Sequence, residues 1–526
     1  MNLESVKRWD IEADVVVIGF GAAGGVTAIE AADTGASTII LEKMPFPGGL
    51  SAISAGGIRV AESCEEAFKY LKSTCGGRTP DNMLEVLADG MTRIPDYVRR
   101  LAKVSSATVK VTPALGNYPF PGCESLAYCE VSEVPELECD QRYYATYRTT
   151  NGGRLFKVLE DNVTKRSIPV HYGVTARRLI ADANGEVRGL VAERGGETIY
   201  VRAAKATVLT CGGFENDDEM KQQYLQAKPV LNGSFVGNTG DGIRMAQAVG
   251  ADLWHMWHYH GPYGLKDPKG KYPFALFPKV LPMWTPGHPS SISDLGVVDS
   301  SGAPMSQKAL ARMAWIAVDQ DGQRFMDEYP PYWGDTGGRP FDFYDAKQQK
   351  FPRIPAFMIF DENGRKMYAM AQVFFNDAKA TFTWDPDNLE AVELGIFGKA
   401  DTLEELASKI GVNFNRLRNT IDNWNVNVKD RFDSEFKRQP DTMVPIDTPP
   451  YYFGEIYPTV INTQGGPRHN ERQEIVDPFG RAIPRLYAAG ECGSVFGHLY
   501  LAGGNLAECF VGGWIAAREA ALLTSW

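Results

Sequence analysis

The chain has 526 residues, 44% of them hydrophobic and 23% charged, a composition typical of globular proteins and a length that predicts more than one domain. Its formal net charge of -11 argues against a nucleic-acid partner, which favours a basic surface. There is no run of about 20 apolar residues, no start of signal-peptide type and no CxxC pair, so we expect a cytoplasmic protein without a transmembrane span or a metal site.

The first predicted elements are a strand, a glycine-rich turn, a helix and a second strand. They are Ala13 to Ile18, Gly19-Phe-Gly-Ala-Ala-Gly24, Gly25 to Ala32 and Thr38 to Leu41, with Glu42 at the end. Gly19 permits the tight turn, Gly21 lets the backbone approach a pyrophosphate, and Gly24 lets the helix and strand pack closely. The helix N-terminus attracts phosphates, and Glu42 can hold ribose hydroxyls. The pattern therefore predicts a dinucleotide site.

The next segment, Pro47-Gly-Gly-Leu-Ser-Ala-Ile-Ser-Ala-Gly-Gly57, decides between NAD and FAD. NAD does not need a second glycine-rich segment after the acidic residue. The longer FAD molecule does need one, because its pyrophosphate and ribityl chain pass close to the backbone. We therefore predict that the cofactor is FAD.

The later elements predict an α/β fold whose nucleotide domain uses both ends of the chain. We expect strands at Val170 to Val174, Arg178 to Ile180, Ala206 to Thr210 and Leu486 to Glu491, a turn at Asn184-Gly185, and helices from Asn238 to near Gly250 and from Gly503 onward. Residues 1–252 and 450–526 are assigned to an FAD-binding domain. Residues 253–449, which contain a polar helical stretch from Thr402 to Asn427, are assigned to an inserted capping domain.

Ordered motifs run through nearly the whole chain. They are GFGAAG, LEK, PGGLSAISAGG, LTCGGFENDDEM, NTGDGIRMAQAVGA, DGQRFMDE, INTQGG, IPRLYAAGE and GGNLAE. In this order they resemble the fumarate reductase and 3-ketosteroid dehydrogenase superfamily of FAD enzymes. The resemblance implies an α/β (α+β) fold, with a Rossmann-like FAD-binding domain of glutathione-reductase type and an inserted capping or catalytic domain.

The resemblance also implies which residues hold FAD. Gly19, Gly21, Ala23 and Gly24 would contact the pyrophosphate, Glu42 the adenosine ribose, and Ala176 the adenine through its backbone; Leu50, Ser51, Gly56 and Gly57 would line the ribityl chain and ring; Asp241, Asn462, Glu491, Asn505 and Leu506 would surround the rest. Members with covalent FAD place a histidine near the second glycine segment. None occurs from 43 to 58, so we expect non-covalent FAD.

Several positions depart from the fumarate and succinate enzymes, which bind a dicarboxylate through arginines and histidines. The position of the proton-delivering arginine is Tyr332, and the stretch from Gly497 to Asn505 contains no arginine. The histidine expected before the final glycines of INTQGG is replaced around Ile461. Although His498 remains nearby, these losses argue against a dicarboxylate substrate.

The ketosteroid dehydrogenases look like the better match. They carry a tyrosine after a short proline-containing spacer, as at Tyr332, and a Gly-His-x-Tyr followed by a glycine, as at Tyr500 and Gly504. A third tyrosine precedes a Pro-Gly, and Tyr118 fits this place. The alternatives for this third role are Tyr128, Tyr143, Tyr144 and Tyr147.

The chemistry explains these residue types. Desaturating a ketone removes an α-proton and a β-hydride, and the carbonyl oxygen becomes enolate-like, so it needs donors already in place. The Tyr500 hydroxyl and the Gly504 N–H would bind the carbonyl. Tyr332 would take the proton, with Tyr118 donating a hydrogen bond to its phenolate. FAD N5 would accept the hydride.

We therefore expect an enzyme that desaturates a 3-ketosteroid in steroid metabolism, or a related small apolar cyclic ketone, and that can run in reverse as an enone reductase. The stretch Leu501 to Asn505 lacks the Gly-Pro-Gly of the Δ1 enzymes, and Ala502 lacks the serine hydroxyl of the Δ4-(5α) enzymes, which leaves the bond and ring system open. No second nucleotide fingerprint occurs, so we expect an external electron acceptor.

Two rival functions remain. One is a fumarate-reductase-like enzyme that reduces the C=C bond of another unsaturated acid, for which Arg468 or Arg324 would supply the positive charge. The other is a flavoprotein that only carries electrons. The segment from Trp254 to His260 either lines the substrate pocket or lies in the core, and its histidines match no standard metal motif.

Overall fold

The computed structural model describes residues 1, 3–135, 137, 151–279, 312–373, 375–376 and 379–526. Its first sheet is built around the strand Ile11–Ile18, whose Val-Val-Val-Ile run is buried on both faces. In spatial order the strands are Glu474–Val476, Ala482–Ala488, Glu197–Leu209, Ile11–Ile18, Thr38–Glu42 and Val170–Tyr172. The last five run parallel, and the first pairs antiparallel with its neighbour.

An antiparallel meander extends this sheet. Val174–Ala181 pairs with Val187–Arg194, which pairs in turn with Glu197–Leu209. The predicted turn at Asn184-Gly185 joins the first two strands, with Gly185 at φ +80°. The predicted strand from Val170 to Val174 is interrupted, because Gly173 adopts φ +65° and redirects the chain.

Two predicted helices have different bounds in the structure. The first helix is Ala22–Asp33, so it begins inside the glycine motif rather than after it. The polar stretch from Thr402 to Asn427 is divided into Leu403–Ile410 and Phe414–Asp430, because Gly411 ends the first of them at φ +74°. A left-handed glycine is a common helix terminator.

The second sheet is mainly antiparallel. In spatial order its strands are Ile316–Val318, Ala356–Asp361, Tyr451–Val460, Tyr263–Leu265, Leu276–Pro278 and Ala371–Val373, with Leu231–Asn232 and Gly398–Ala400 also paired to Tyr451–Val460. Tyr451–Val460 and Leu231–Asn232 lie outside the predicted 253–449 range, so the chain enters this sheet from both flanks.

Short strands and helices complete the described part of the chain. Small sheets pair Leu253–Trp254 with Gly466–Pro467, Tyr259–His260 with Asn462–Thr463, and Ile58–Ala61 with Leu126–Glu133 and Thr108–Pro113. The other helices are Gly49–Ile53, Cys64–Cys75, Asp81–Ala102, Asn151–Lys165, Asp218–Tyr224, Asp241–Gln247, Trp333–Thr336, Glu362–Met367, Leu389–Leu394 and Gly504–Leu522. Within the described ranges, none of the helices has the length and apolar character needed to span a bilayer.

Candidate active site

A cleft of about 760 Å³ opens at the carboxyl ends of Ile11–Ile18 and Thr38–Glu42, the edge where ligands bind in parallel sheets. The predicted cofactor residues that line it are Gly19, Gly21, Ala23, Glu42, Leu50, Ser51, Ala176, Asp241 and Glu491. The other predicted cofactor residues lie outside this lining; they are Gly24, Gly56, Gly57, Asn462, Asn505 and Leu506. The cleft therefore gathers most of the predicted contacts from five distant segments.

The three motif glycines have different structural roles. Gly19 adopts φ +102°, and a Cβ there would lie 2.5 Å from the carbonyl oxygen of Thr210. A Cβ at Gly24 would lie 1.9 Å from the carbonyl oxygen of Gly19, so this glycine lets the helix pack on the strand. A Cβ at Gly21 would make only ordinary contacts, 3.4 Å from Ser51 Oγ and 3.8 Å from the Gly48 carbonyl oxygen, so this glycine is not required by the protein's own packing.

Glu42 and Ser51 give the cleft a polar wall that fits FAD. The Glu42 carboxylate accepts hydrogen bonds from the N–H groups of Phe20 at 2.7 Å and Met44 at 2.8 Å. Burial raises the pKa of Glu42, and these N–H groups oppose that effect. Each carboxylate oxygen has a further lone pair, which suits the hydroxyls of an adenosine ribose. Ser51 Oγ accepts from the Ala22 N–H at 3.0 Å, which fixes the second glycine segment against the first helix.

Lys43 is a charged residue of the cleft that the sequence analysis missed. Its Nζ lies 2.6 Å from Asp241 Oδ2 and 2.6 Å from Thr239 Oγ1. The predicted contact Asp241 is therefore ion-paired across the cleft. The signal was present, since Lys43 is the last residue of the LEK motif.

Three buried glutamates lie in this region: Glu491, which was predicted and lines the cleft, and Glu215 and Glu508, which were missed. Glu215 Oε1 accepts from Asn238 Nδ2 at 2.6 Å, and Glu491 Oε1 accepts from the Thr463 N–H at 2.9 Å. Burial raises the pKa of Glu491, and the charge of Glu215 raises it further. Burial also raises the pKa of Glu508 to about 8. The pair Glu215 and Glu491 therefore holds at least one proton at neutral pH.

The predicted tyrosines Tyr118, Tyr332 and Tyr500 come together in a second buried cluster. The rings of Tyr118 and Tyr332 are 6.1 Å apart. The ring of His260 lies between Tyr332 and Tyr500; the ring centroids are 5.6 Å apart for His260 and Tyr332 and 4.4 Å apart for His260 and Tyr500. We call Tyr118, His260, Tyr332, Asp335 and Tyr500 the tyrosine cluster; each is less than a tenth exposed.

A hydrogen-bonded chain connects Tyr332 to predicted cofactor residues. His260 Nε2 lies 3.0 Å from Tyr332 Oη, and His260 Nδ1 lies 2.9 Å from Asn462 Oδ1. Asn462 Nδ2 donates to Asn505 Oδ1 at 2.6 Å. His260 is the last residue of the Trp254 to His260 segment. It lies in the short strand Tyr259–His260, which places its side chain against Tyr332 and Tyr500.

The predicted hydrogen bond from Tyr118 to Tyr332 is wrong. Tyr118 Oη donates to Asp335 Oδ2 at 2.6 Å, because Asp335 is a fully buried acceptor. Burial opposes ionisation of Asp335, but hydrogen bonding from His258 and the charge of Arg339 hold its pKa below the usual range. A carboxylate is a stronger acceptor than a phenol, so Tyr118 supports Asp335.

The predicted carbonyl donors, Tyr500 and Gly504, lie on one short segment. The backbone N–H of Tyr500 donates to Asp335 Oδ2 at 2.9 Å, and the Asn505 N–H approaches Tyr500 Oη at 3.4 Å. Burial raises the pKa of Tyr500, which keeps its hydroxyl protonated as a donor. The Gly504 N–H, however, already donates to the Leu501 carbonyl at 2.7 Å. It can bind a substrate carbonyl only through a bifurcated hydrogen bond that it shares with Leu501.

Arg59 is the fully buried cation beside the cluster, and its donors are already used. Its Nε donates to the Ala502 carbonyl, and Nη1 donates to the carbonyls of Ala114 and Leu115. Its Nη2 donates to Tyr128 Oη at 2.6 Å and approaches Asn117 Oδ1 at 3.4 Å. Arg59 therefore has no donor left for a substrate carboxylate.

Other residues singled out in the sequence lie elsewhere. Arg324 pairs with Glu328 at 2.7 Å and Asp433 at 3.0 Å in a fully buried group of charges, and Arg468 pairs with Asp252 at 3.3 Å. Tyr128 binds Arg59, while Tyr143, Tyr144 and Tyr147 lie outside the described residues. In the part of the chain that is described, no group of three His, Cys, Asp or Glu residues is placed to hold a metal.

Comparison with known proteins places these features in context. The sequence profile of the FAD binding domain family matches residues 14–269 and 280–506. A fumarate reductase (cytochrome) from Shewanella frigidimarina is 25% identical over 512 residues, covering 97% of this chain and 77% of that protein. The 3-oxosteroid 1-dehydrogenase of Mycolicibacterium smegmatis is 26% identical over 603 residues, covering 97% of each chain.

The fold is also similar to a solved structure. The crystal structure of 3-ketosteroid Δ1-dehydrogenase from Sterolibacterium denitrificans, in complex with 1,4-androstadiene-3,17-dione, superposes with a TM-score of 0.79. The two chains are 22% identical, and the match covers 97% of this chain and 99% of the other. The predicted mixed α/β fold is thereby confirmed.

Proposed function

Since the chain belongs to the FAD binding domain family and is an FAD-dependent oxidoreductase, as predicted, we propose that it desaturates the bond next to the carbonyl of a 3-ketosteroid or a smaller cyclic ketone. The observation that carries the proposal is the tyrosine cluster, in which Tyr332 and Tyr500 flank a neutral His260. Hydroxyls and an uncharged imidazole suit a neutral ketone better than a dianion.

The roles in this proposal follow from which atoms can donate or accept. The Tyr500 hydroxyl donates to the substrate carbonyl, where charge develops as the α-proton leaves. The Gly504 N–H is a second, shared donor at the same carbonyl. Tyr332 Oη takes the α-proton. Tyr118, which was predicted to assist Tyr332, takes no part in proton transfer here; its hydroxyl binds Asp335 and holds that carboxylate in place.

The cofactor is held by residues of the cleft, without a covalent bond. FAD, when bound, supplies the two-electron acceptor that takes the β-hydrogen as hydride. Gly21 and the N-terminus of Ala22–Asp33 face the pyrophosphate position, and Glu42 faces the ribose position. Asn462 and Asn505, which lie outside the cleft lining and are proposed to contact the remainder of FAD, are hydrogen-bonded to the tyrosine cluster through His260. An external acceptor receives the electrons.

We also propose a finer assignment of the fold. The parallel strands and the antiparallel meander of the first sheet support a Rossmann-like domain of glutathione-reductase type. The second sheet then belongs to a capping domain, made mainly of residues 253–449 and completed by the strand Tyr451–Val460. We further propose a cytoplasmic location, in agreement with the cysteine usage.

The rival that reduces an unsaturated acid needs a cation at the tyrosine cluster, and the described candidate is Arg339, whose Nη2 lies 3.7 Å from Asp335 Oδ1 and 3.1 Å from His258 Nε2. Arg59 is saturated, and Arg324 and Arg468 are paired elsewhere. A bidentate cationic donor is the usual means of binding a carboxylate. The relatives include a fumarate reductase, so the two functions require a direct test.

The test is anaerobic bleaching of the flavin absorbance. We expect the oxidised holoenzyme to bleach on addition of a 3-ketosteroid or of cyclohexanone, each added separately. We expect dithionite-reduced enzyme to remain reduced when fumarate is added. If neither ketone bleaches the flavin, while fumarate reoxidises the reduced enzyme, the proposal fails and the rival is supported.

A further inference from the structure

The histidine behind Tyr332 has a defined tautomer. His260 Nδ1 faces Asn462 Oδ1 at 2.9 Å, and the amide nitrogen of Asn462 is used by Asn505. Because the amide oxygen only accepts, His260 Nδ1 carries the hydrogen and its Nε2 is left with a lone pair. That lone pair faces Tyr332 Oη at 3.0 Å, so the Tyr332 hydroxyl donates to His260.

We propose that His260 is the proton acceptor behind Tyr332. As the substrate's α-proton passes to Tyr332 Oη, the hydroxyl proton of Tyr332 passes to His260 Nε2. One C–H bond and one O–H bond break, while one O–H bond and one N–H bond form. The electron pair left at the α-carbon becomes the new C=C bond as the β-hydrogen leaves as hydride, for which bound FAD would be the acceptor, so the inference rests on the proposed function.

Burial makes such a relay necessary. Burial raises the pKa of Tyr332 well above the ordinary value of about 10, and the nearby Tyr500 raises it further. A free phenolate is therefore scarce at neutral pH, and a neutral phenol takes a proton only if it gives up its own. Tyr118 cannot assist, because its hydroxyl donates to Asp335. His260 Nε2 is the acceptor that the structure places on Tyr332.

The groups around His260 suit a base that is protonated only transiently during the reaction. Tyr332, Tyr500 and Asn462 contact the ring. Burial lowers the pKa of His260 to about 4, Asp335 opposes this effect, and His258 adds to it. The imidazole is therefore neutral before reaction. The cation forms near the buried Asp335 carboxylate and then gives up its proton readily.

Gly334 leaves room for the close approach of His260 to Tyr332. A Cβ at Gly334 would lie 3.4 Å from His260 Nε2 and 3.1 Å from Tyr332 Cε2. A larger residue at this position would press on both partners of the hydrogen bond. The close approach of tyrosine and histidine is therefore built into the backbone after Tyr332.

The test isolates proton abstraction from hydride transfer. The probe is 3,3,5,5-tetramethylcyclohexanone, which has α-hydrogens and no β-hydrogens, so it can exchange α-protons but cannot be desaturated. The holoenzyme is incubated with this ketone in D₂O, and deuterium uptake is followed by mass spectrometry. We expect uptake with the wild type to be nearly independent of pH from 6 to 9.

The decisive variant is His260→Gln, whose amide can still bind Tyr332 but cannot accept a proton. We expect uptake to fall by about 10²–10⁴-fold and to rise tenfold per pH unit, because Tyr332 must then ionise first. The matched control is His255→Gln. His255 lies in the same segment, and its Nδ1 is 2.8 Å from the Ser494 carbonyl oxygen. We expect deuterium uptake by this variant to stay within about threefold of wild type. FAD content and thermal unfolding are measured for each variant.

A second readout does not depend on reaction. Histidine labelled with ¹⁵N should show one Nδ1–H signal that His260→Gln removes, and an Nε2–H tautomer there would overturn the inference. Equal exchange by wild type and a folded, FAD-loaded His260→Gln would also overturn it, while leaving the proposed function intact. Absence of exchange by the wild type would contradict both. Where Gln does not fold, His260→Ala with added imidazole replaces it, and rescue by imidazole is expected.

Discussion

The cofactor cleft and the tyrosine cluster are built in opposite ways. Nearly half of the residues that line the cleft lie between positions 14 and 57, and this part of the cleft depends on glycines whose missing side chains leave room for a ligand. The cluster draws Tyr118, His260, Tyr332 and Tyr500 from four distant segments, and it depends on which atom each side chain donates to. Space is therefore the critical property of the first region, and hydrogen-bond direction that of the second.

The largest expected effect tests the direction of proton transfer in the cluster. Tyr332→Phe removes the hydroxyl that takes the α-proton, so we expect turnover of the ketone substrate to fall by about 10²–10⁴-fold. The cleft does not include Tyr332, and FAD should therefore stay bound. Stopped-flow bleaching measures the rate, and the flavin spectrum after gel filtration measures retention. An unchanged bleaching rate would remove Tyr332 from the mechanism.

The next effect concerns the carbonyl donor. Tyr500→Phe keeps the ring packed beside His260 but removes the hydroxyl, and loss of one such donor costs about 10²–10³-fold in rate. The loss should appear mainly in the maximum bleaching rate, since the developing charge is greatest in the transition state. If the variant instead weakens ketone binding with the maximum rate unchanged, Tyr500 only holds the substrate in the pocket.

The cleft is tested by a pair of glycine variants. A Cβ at Gly21 has room in the protein, so Gly21→Ala should fold like wild type as apoprotein and bind FAD about 10- to 100-fold more weakly, for a clash of 1–3 kcal/mol. Gly24→Ala should instead lower the stability of the apoprotein itself, because its Cβ would lie 1.9 Å from the Gly19 carbonyl. Fluorescence titration with FAD and thermal unfolding of both apoproteins distinguish these outcomes. Equal FAD affinity of Gly21→Ala and wild type would place the pyrophosphate elsewhere.

The same contrast explains what the sequence could predict. The strand, glycine turn, helix and Glu42 are local, so their spacing predicts their geometry, and the cleft follows. The positions of Tyr332 and Tyr500 follow from motif register, but their hydrogen-bond partners do not. Tyr118 binds Asp335 because long-range packing brings that carboxylate within 2.6 Å, and no spacing along the chain encodes this distance.

His260 illustrates why some site residues cannot be predicted from the sequence. Its pairing with Asn462 joins two strands that are about 200 residues apart in the chain, Tyr259–His260 and Asn462–Thr463. The histidine-rich segment was visible in the sequence, but the sequence left its place open between a substrate pocket and the core. Only the pairing of these strands decides which histidine faces Tyr332.

The smallest expected effect lies at the border of the two regions, where Glu508 accepts hydrogen bonds from the Val495 N–H at 2.6 Å and Asn505 Nδ2 at 2.8 Å. Burial raises the pKa of Glu508 to about 8 from 4.5, so the folded protein binds the proton more tightly than the unfolded chain. Its stabilising contribution is therefore complete below about pH 4.5 and is lost as the pH rises through 8.

Glu508→Gln resembles the protonated carboxyl at every pH. We expect the decline of the apoprotein Tm between pH 5 and 8 to be shallower in this variant than in wild type, by roughly 1 °C for each kcal/mol of linked stability in a chain of this length. The slope decides the question rather than the Tm at one pH, since the amide also changes the hydrogen bonds. Equal slopes would mean that Glu508 is already ionised in the folded protein, and that Asn505 and Val495 stabilise its charge enough to offset burial.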